Sequence, residues 1–258
     1  MRRSRLLVQG STLLLLIILW ELTGRSGLLF PDLFPPWREI AWELWRQLST
    51  DILIPHLKAS LYEVGGGLAL GALLAIPLGM VLGSRRSLTQ TMEPMILYLA
   101  VVPKIIVLPV FILLFGIGAE SKLAVAAAAA FFPIALLTIA GMREIRPVYL
   151  DVGRSVGATP LQMATSIYLP AILGYLFTGL RIGMGAAVTG ALLAETKIAQ
   201  AGLGFLIVDY YTQFRIAEMY SLFFLIFLLA AAANRALSLA FSLIAPLPRA
   251  QAEEGFFF

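Results

Sequence analysis

The segment from Val64 to Ser84 contains 21 residues without a charged side chain, and Leu123 to Met142 contains 20 more. Because a charge at the bilayer centre costs at least about 2.5 to 3.5 kcal/mol, charge-free runs of this length are typical of membrane-spanning helices. Leu6 to Trp20 is a third, shorter run. Only 13% of all residues are charged and the mean hydropathy is +0.89, whereas soluble domains have about 25% charged residues. The chain is therefore predicted to be an integral membrane protein.

Three further segments are long enough to span a membrane, and each contains one basic residue. They are Met95 to Phe115 with Lys104, Ala171 to Ala194 with Arg181, and Ala217 to Ala245 with Arg235. We predict an all-α membrane protein with six transmembrane helices, the first retained as an insertion signal rather than cleaved. Six spans place both termini on one side. The arginines on that side, which the positive-inside rule makes the cytoplasm, are Arg2, Arg3, Arg5, Arg85, Arg86, Arg143, Arg146, Arg154 and Arg249.

The segment PPWREIAWELWRQL follows the first predicted span. Pro36 suits the start of a helix, and Trp37, Ala41, Leu44 and Leu48 then share one helical face. Two interpretations stay open at this point. The helix lies at the outer membrane interface, or it is a loop helix packed on the other spans.

Glycine pairs four residues apart occur on the predicted spans, and this spacing allows helix backbones to approach closely in lipid. The pairs are Gly67 and Gly71, Gly79 and Gly83, and Gly179 and Gly183. Prolines interrupt the same region and predict kinks in spans two to four. They are Pro77, Pro103, Pro109 and Pro133.

The residues of a catalytic centre are missing from the sequence. The chain has no cysteine and one histidine, His56, which its position predicts to be a surface residue. A phosphate-binding loop requires Gly-Lys followed by Ser or Thr, and none of the four lysines follows a glycine. We therefore expect no metal site, no cofactor, no nucleic-acid partner and no ATP hydrolysis in this chain.

A polar segment, DVGRSVGATPLQMATSIYLP, lies between the fourth and fifth predicted spans on the cytoplasmic side. Gly157 is placed to end one helix. Thr159 and Pro160 are placed to start the next, as N-cap and first helical residue, and that helix is expected to end at Leu169 and Pro170. The pattern predicts a helix, a glycine turn and a short helix that project into the cytosol.

This segment resembles the EAA loop of ABC importer permeases, whose pattern is EAA, three residues, G, nine residues, then I, x, L, P. Asp151, Val152 and Gly153 stand at the EAA positions, Gly157 at the glycine, and Ile167, Leu169 and Pro170 at the end. All the gaps match, although DVG replaces EAA. The segments HLKASLYEVGGGLALGALLAIPLGMVLGSRRSL, VVPKIIVLPVFILLFGIGAESK and ETKIAQAGLGFLI resemble the nitrate, sulfonate, taurine and bicarbonate subfamily, which includes permeases for thiamine-precursor pyrimidines.

The resemblance implies a type I ABC importer permease fold in a bacterial inner membrane. It implies a second copy of the chain, surrounding lipid, an extracytoplasmic binding protein, and separate ATPase subunits that bind ATP and Mg. The implied coupling residues, which dock in the ATPase, are Asp151, Val152, Gly153, Gly157, Ala158, Thr159, Pro160 and Leu161. The implied solute is a small anion. A secondary transporter and a permease for a neutral molecule are the alternatives.

The chain is divided into a first span with an outer helix (1–58), a core permease domain (59–245) with the coupling loop at 143–170, and a cytoplasmic tail (246–258). Charged residues inside spans are functional candidates. Lys104 and Arg181 could attract an anionic solute, although Arg181 could also reach the interface or pair with a carboxylate. Glu195, with the turn Ala201 to Phe205, is expected to face outward as a gate or a contact for the binding protein.

Overall fold

The computed structural model describes residues 2–26 and 33–244, and their regular structure is helical throughout. The tail predicted at 246–258 lies outside these residues. The α-helices are α1 (Arg2–Arg25), α2 (Trp37–Ser49), α3 (Leu53–Gly83), α4 (Arg86–Val101), α5 (Leu108–Phe115), α6 (Ala119–Arg143), α7 (Pro147–Ser155), α8 (Pro160–Met163), α9 (Leu169–Ile198), α10 (Leu203–Thr212) and α11 (Ile216–Ile244). A 3-10 turn (Lys104–Val107) precedes α5, and a π-helical turn (Ala164–Tyr168) joins α8 to α9.

Four helical segments in the described residues are long and apolar enough to cross a membrane: α3, α6, Pro160–Ile198 and α11. The pair formed by α4 and Lys104–Phe115 is a fifth candidate, bent by 86° at its break. The prediction of an all-α membrane protein is confirmed. The count of six spans and the side of each terminus stay predictions, as do the domain boundaries.

The bend between α4 and α5 is sharper than the kink expected for a span from Met95 to Phe115. Helix α4 ends at Val101, and Val102 and Pro103 adopt extended backbone angles before the 3-10 turn begins. Proline disfavours helical angles in the residue before it and cannot donate the next backbone hydrogen bond. These two residues therefore break the helix. Pro77 and Pro133, by contrast, lie inside α3 and α6.

Glycines hold α3 directly against α6, as their spacing predicts. A Cβ added to Gly67 would lie 2.5 Å from Ala126 Cβ, and one added to Gly71 would lie 2.8 Å from the carbonyl oxygen of Ala127. Helix α9 packs against both α6 and α3, and the core between the three helices consists mainly of alanine. Its fully buried members are Ala75, Ala126, Ala130, Ile134, Ala135, Ala187 and Ala191.

We expect Gly67→Val to destabilise the folded chain by about 1 to 3 kcal/mol, because the added side chain would force α3 away from α6. Gly65→Val is the matched control, since a Cβ at Gly65 meets no atom within 4 Å. Thermal unfolding in detergent measures the effect. Equal midpoints for the two variants would contradict close packing at Gly67.

Helix α2 has features of both interpretations that its sequence left open, packing on a span and lying at the outer interface. One face packs on α11, where the Gln47 amide donates a buried hydrogen bond of 2.8 Å to Ser221 Oγ, and Trp37 meets Phe224 edge to face. On the other face Trp42 and Trp45 are each about two thirds exposed, at 64% and 66%. The helix is thus packed on a span and still presents an apolar face outward.

Candidate functional site

The polar segment between α6 and α9 folds into a projection formed by α7, a glycine turn and α8, which we call the knob (residues 147–163). Gly157 has a φ of +70°, in the left-handed region that favours glycine. The Gly157 N–H donates to the Arg154 carbonyl and the Ala158 N–H donates to the Gly153 carbonyl, each at 3.0 Å. This pair of bonds is the Schellman motif that ends a helix, so the predicted end of the first helix is confirmed.

A capping box starts α8 two residues later. The Gln162 N–H donates to Thr159 Oγ1 at 3.3 Å, and the Thr159 N–H donates to Gln162 Oε1 at 2.8 Å. Pro160 occupies the first turn, as expected. Both ends of the turn are therefore held by local hydrogen bonds, and its shape follows from residues close together in the sequence.

The second helix of the knob does not stop before the fifth predicted span, contrary to the expected break at Leu169 and Pro170. It continues through the π-helical turn, in which the Leu169 N–H donates to the Ala164 carbonyl five residues earlier. Pro170 has no N–H to donate, and the wider turn absorbs this loss without ending the helix. Pro160–Ile198 is consequently one continuous helical segment of 39 residues.

The predicted coupling residues fall into an outer set and an inner set. Asp151, Val152, Gly157, Thr159, Pro160 and Leu161 are exposed, Ala158 is half-buried, and Gly153 is buried. A Cβ at Gly153 would meet the tips of Met163 and Ile167, so a side chain here would require those two flexible side chains to move. Three apolar side chains of the knob, Val152, Val156 and Leu161, are 55%, 74% and 73% exposed.

A second cluster, which the sequence analysis missed, lies inside the bundle at the end opposite the knob. Lys122 Nζ in α6 is 2.9 Å from Glu63 Oε1 in α3, and both side chains are buried. Glu195 in α9 is 1% exposed and interacts electrostatically with Glu63. Two interacting carboxylates are thus buried in the bundle, and the Lys122 ammonium group pairs with one of them, Glu63.

The same cluster holds the N-terminus of α10. The Leu203 N–H donates to Ser60 Oγ at 2.8 Å, and the Gly204 N–H donates to Glu195 Oε2 at 2.6 Å. The Ser60 hydroxyl in turn donates to Glu195 Oε1 at 2.6 Å. A carboxylate at a helix N-terminus is favourable because the free N–H groups and the helix dipole face it. Glu195 is therefore buried at the end of the bundle opposite the knob, and its expected role as a gate or a contact for the binding protein stays a prediction.

His56 is half-buried rather than a surface residue, which corrects a further expectation. Its Nδ1 accepts a hydrogen bond of 3.1 Å from the Gly202 N–H, and its ring stacks on Phe205. His56, Ser60 and Glu63 follow one another at helical spacing along one face of α3. This spacing was the one sequence feature that could have indicated the cluster. It does not identify the cluster by itself, because Lys122 and Glu195 come from α6 and α9.

Lys104 and Arg181 have different surroundings. Lys104 Nζ donates to the carbonyls of Leu99, Ala100 and Val102 at 2.6 to 3.1 Å, so its ammonium group caps the C-terminal end of α4. Arg181 is half-buried in α9. No hydrogen bond or ion pair joins Arg181 to another residue within 2–26 and 33–244, so the carboxylate partner considered for it is not found there.

The fold and these sites define a class of protein: a helical membrane bundle with a polar knob on one side. Residues 75–249 match the model of the family described as "Binding-protein-dependent transport system inner membrane component", and the chain belongs to that family. It is an inner-membrane permease component of an ABC transport system. The resemblance inferred from the loop motif is confirmed.

Individual relatives agree with this assignment. The chain is 30% identical over 201 residues to the taurine transport system permease protein TauC of Escherichia coli, covering 76% of this chain and 73% of the relative. It is 32% identical to the formylaminopyrimidine transport permease protein ThiX of Halalkalibacterium halodurans (78% and 80% covered) and 34% identical to the riboflavin transport system permease protein RibX of Chloroflexus aurantiacus (76% and 73%).

The fold is shared with the MetNI methionine ABC transporter, solved in inward-facing conformations. The TM-score is 0.67 at 21% sequence identity, and the match covers 75% of this chain and 96% of the solved chain. The predicted ABC importer permease fold is therefore confirmed, and the alternative of a secondary transporter is set aside.

Proposed function

We propose that two copies of this chain form the pathway of an importer that moves a small anionic solute delivered by an extracytoplasmic binding protein. Separate ATPase subunits bind ATP and Mg, grip the knob, and drive alternation between outward and inward access. In this proposal ATP hydrolysis belongs to the ATPase subunits and not to this chain.

The observation that carries the proposal is the shape and surface of the knob. The Schellman motif and the capping box fix the turn at Gly157, and the apolar side chains of Val152, Val156 and Leu161 point away from the chain. Exposed apolar side chains on a projection whose shape is fixed by local hydrogen bonds are typical of a protein contact. We assign this contact to the ATPase.

Support for an anionic solute comes from relatives and from the spans. The taurine permease and the putative aliphatic sulfonates permease of Bacillus subtilis are named for sulfonates, while formylaminopyrimidine and riboflavin name two other relatives. Arg181 carries a positive charge inside α9 with no ion-pair partner among the described residues. An unpaired cation within a span favours a negatively charged solute.

Reconstitution tests the proposed function. Liposomes containing the chain, its ATPase and its binding protein should accumulate radiolabelled taurine only with ATP on the ATPase side. Uptake driven by an ion gradient without ATP would contradict the proposal. ATP-dependent uptake of a pyrimidine, with no uptake of any sulfonate, nitrate or bicarbonate, would contradict the anionic solute alone.

Lys104→Met should lower anion uptake by about 10-fold, because a positive charge beside the bend contributes on the order of 1 to 4 kcal/mol to attracting an anion at close range. The three N–H donors of Lys104 are already used on carbonyls, so this contribution is electrostatic. Lys58→Met, at an exposed position, is the control. The measurement is the initial uptake rate, normalised to ATP hydrolysis in the same vesicles. Equal rates for the two variants would show that Lys104 does not contribute to the solute pathway.

A further inference from the structure

A cavity of about 400 Å³ opens on the side of the bundle that carries the knob, where α3 ends, α4 begins and α6 ends. Three arginines from three helices line it: Arg86 of α4, Arg143 of α6 and Arg154 of α7. The rest of the lining is mixed: apolar Met142, Ile145 and Leu150, polar Ser84, Thr89 and Gln90, and the carboxylate of Glu93. Three basic groups beside apolar side chains are suited to a ligand with an anionic head.

The positive charge of this cavity is incompletely balanced. Arg143 pairs with Glu93 at 3.0 Å, and Arg154 pairs with Asp151 at 3.3 Å, with both side chains of the second pair about 70% exposed. Arg86 has no hydrogen bond or ion pair with any residue that the structure describes. Each guanidinium group has five N–H donors, so most of the donors around the cavity are available to a ligand.

The position of the cavity decides which anion reaches it. Two candidate membrane spans end at its edge, α3 at Gly83 and α6 at Arg143. The cavity therefore lies at the level of the lipid headgroups rather than out in solvent. Basic pockets between helix ends on the cytoplasmic side bind anionic headgroups, because the phosphate is held at that depth by its own acyl chains.

We propose that this cavity is a binding site for a tetrahedral phosphate oxyanion, supplied by the headgroup of an anionic phospholipid. Guanidinium groups bind phosphate oxygens in pairs, and arginines on separate helices can contact one phosphate together. A bound headgroup links α4, α6 and α7, and so steadies the base of the knob against the bundle. The binding itself does not depend on the proposed transport function.

Native mass spectrometry of the full-length chain in mild detergent tests this site. The chain is titrated with phosphatidylglycerol, with phosphatidylcholine and with inorganic phosphate. We expect one phosphatidylglycerol per chain to be retained, phosphatidylcholine to be retained at least about 10-fold more weakly, and millimolar inorganic phosphate not to displace the lipid. Displacement by phosphate would keep the oxyanion site and overturn the lipid as its source.

Matched variants locate the binding. Arg86→Gln with Arg143→Gln should weaken phosphatidylglycerol binding by at least about 10-fold, since each basic residue near an anionic headgroup contributes several-fold to affinity. Arg85→Gln with Arg146→Gln removes the same charge from two exposed neighbours that do not line the cavity and should leave binding within about threefold of wild type. Equal loss in both double variants, or full binding in the first, would overturn the site. If the double variant fails to fold, Arg86→Gln alone replaces it, because this change breaks no ion pair among the described residues. It should also weaken phosphatidylglycerol binding.

Discussion

Replacing Lys122 with methionine is expected to lower the free energy of unfolding by about 3 to 5 kcal/mol, because it leaves Glu63 buried without its counter-ion. The lost partner lies 2.9 Å from Glu63 Oε1, and Glu195 adds a second negative charge in the same interior. The destabilisation should appear as a lower midpoint of thermal or denaturant unfolding in detergent. Reduced yield of the inserted chain should accompany it.

Two further variants separate the loss of the ion pair from the loss of any lysine. Lys197→Met removes an exposed lysine from the last turn of α9 and should change the unfolding free energy by less than about 0.5 kcal/mol. Combining Glu63→Leu with Lys122→Met removes both partners and should recover much of the stability, since apolar replacements of whole buried pairs are often tolerated. If Lys122→Met is no more destabilising than Lys197→Met, the buried pair does not stabilise the bundle.

Gly157→Val is expected to reduce co-purification of the ATPase by at least about 10-fold while the chain still inserts and folds. At a φ of +70°, a left-handed conformation costs a residue with a Cβ about 1 to 2 kcal/mol, and a β-branched residue more. The turn would relax to other angles, breaking the two Schellman hydrogen bonds and moving Val156 and Leu161 apart. No atom of residues 2–26 or 33–244 lies within 4 Å of an added Cβ, so the effect comes from the backbone rather than from crowding.

The control for this variant is Gly157→Asn, because asparagine adopts left-handed angles more readily than other residues with a side chain. It should retain most of the bound ATPase. Tandem purification of tagged chain with co-expressed ATPase measures both variants, and thermal unfolding confirms that the bundle is intact. Wild-type recovery of ATPase with the valine variant would refute the role of the knob in docking.

The knob was predictable from the sequence because its determinants are local. Gly157, Thr159 and Pro160 each impose their conformation on the chain within a few residues, without help from the rest of the fold. The glycine spacing on α3 predicted the close packing of this helix for a similar reason, because residues four apart share one helix face. The π-helical turn was not predicted because a proline near a helix start and a proline inside a continuous helix look alike in sequence.

The buried cluster depends on contacts between distant residues, and the sequence alone could not assemble it. Ser60 and Glu195 are 135 positions apart in the sequence. Glu63 lies just before the charge-free run of α3, and nothing in the neighbouring residues indicates that it is fully buried. Lys104 shows the same limit. The sequence showed a charged residue inside a predicted span. It could not show that the carbonyls at the end of α4 would accept hydrogen bonds from that lysine, because they are free only where the helix bends by 86°.

The unbroken helix from Pro160 to Ile198 gives the chain a mechanical property that separate helices would lack. At 1.5 Å per residue, its 39 residues measure about 58 Å, with the knob at one end and Glu195, which holds the N-terminus of α10, near the other. The two ends of the bundle are thus joined within one helical segment, which includes the π-helical turn. A displacement of α8 is therefore carried to the end of α9 beside α10 without an intervening loop.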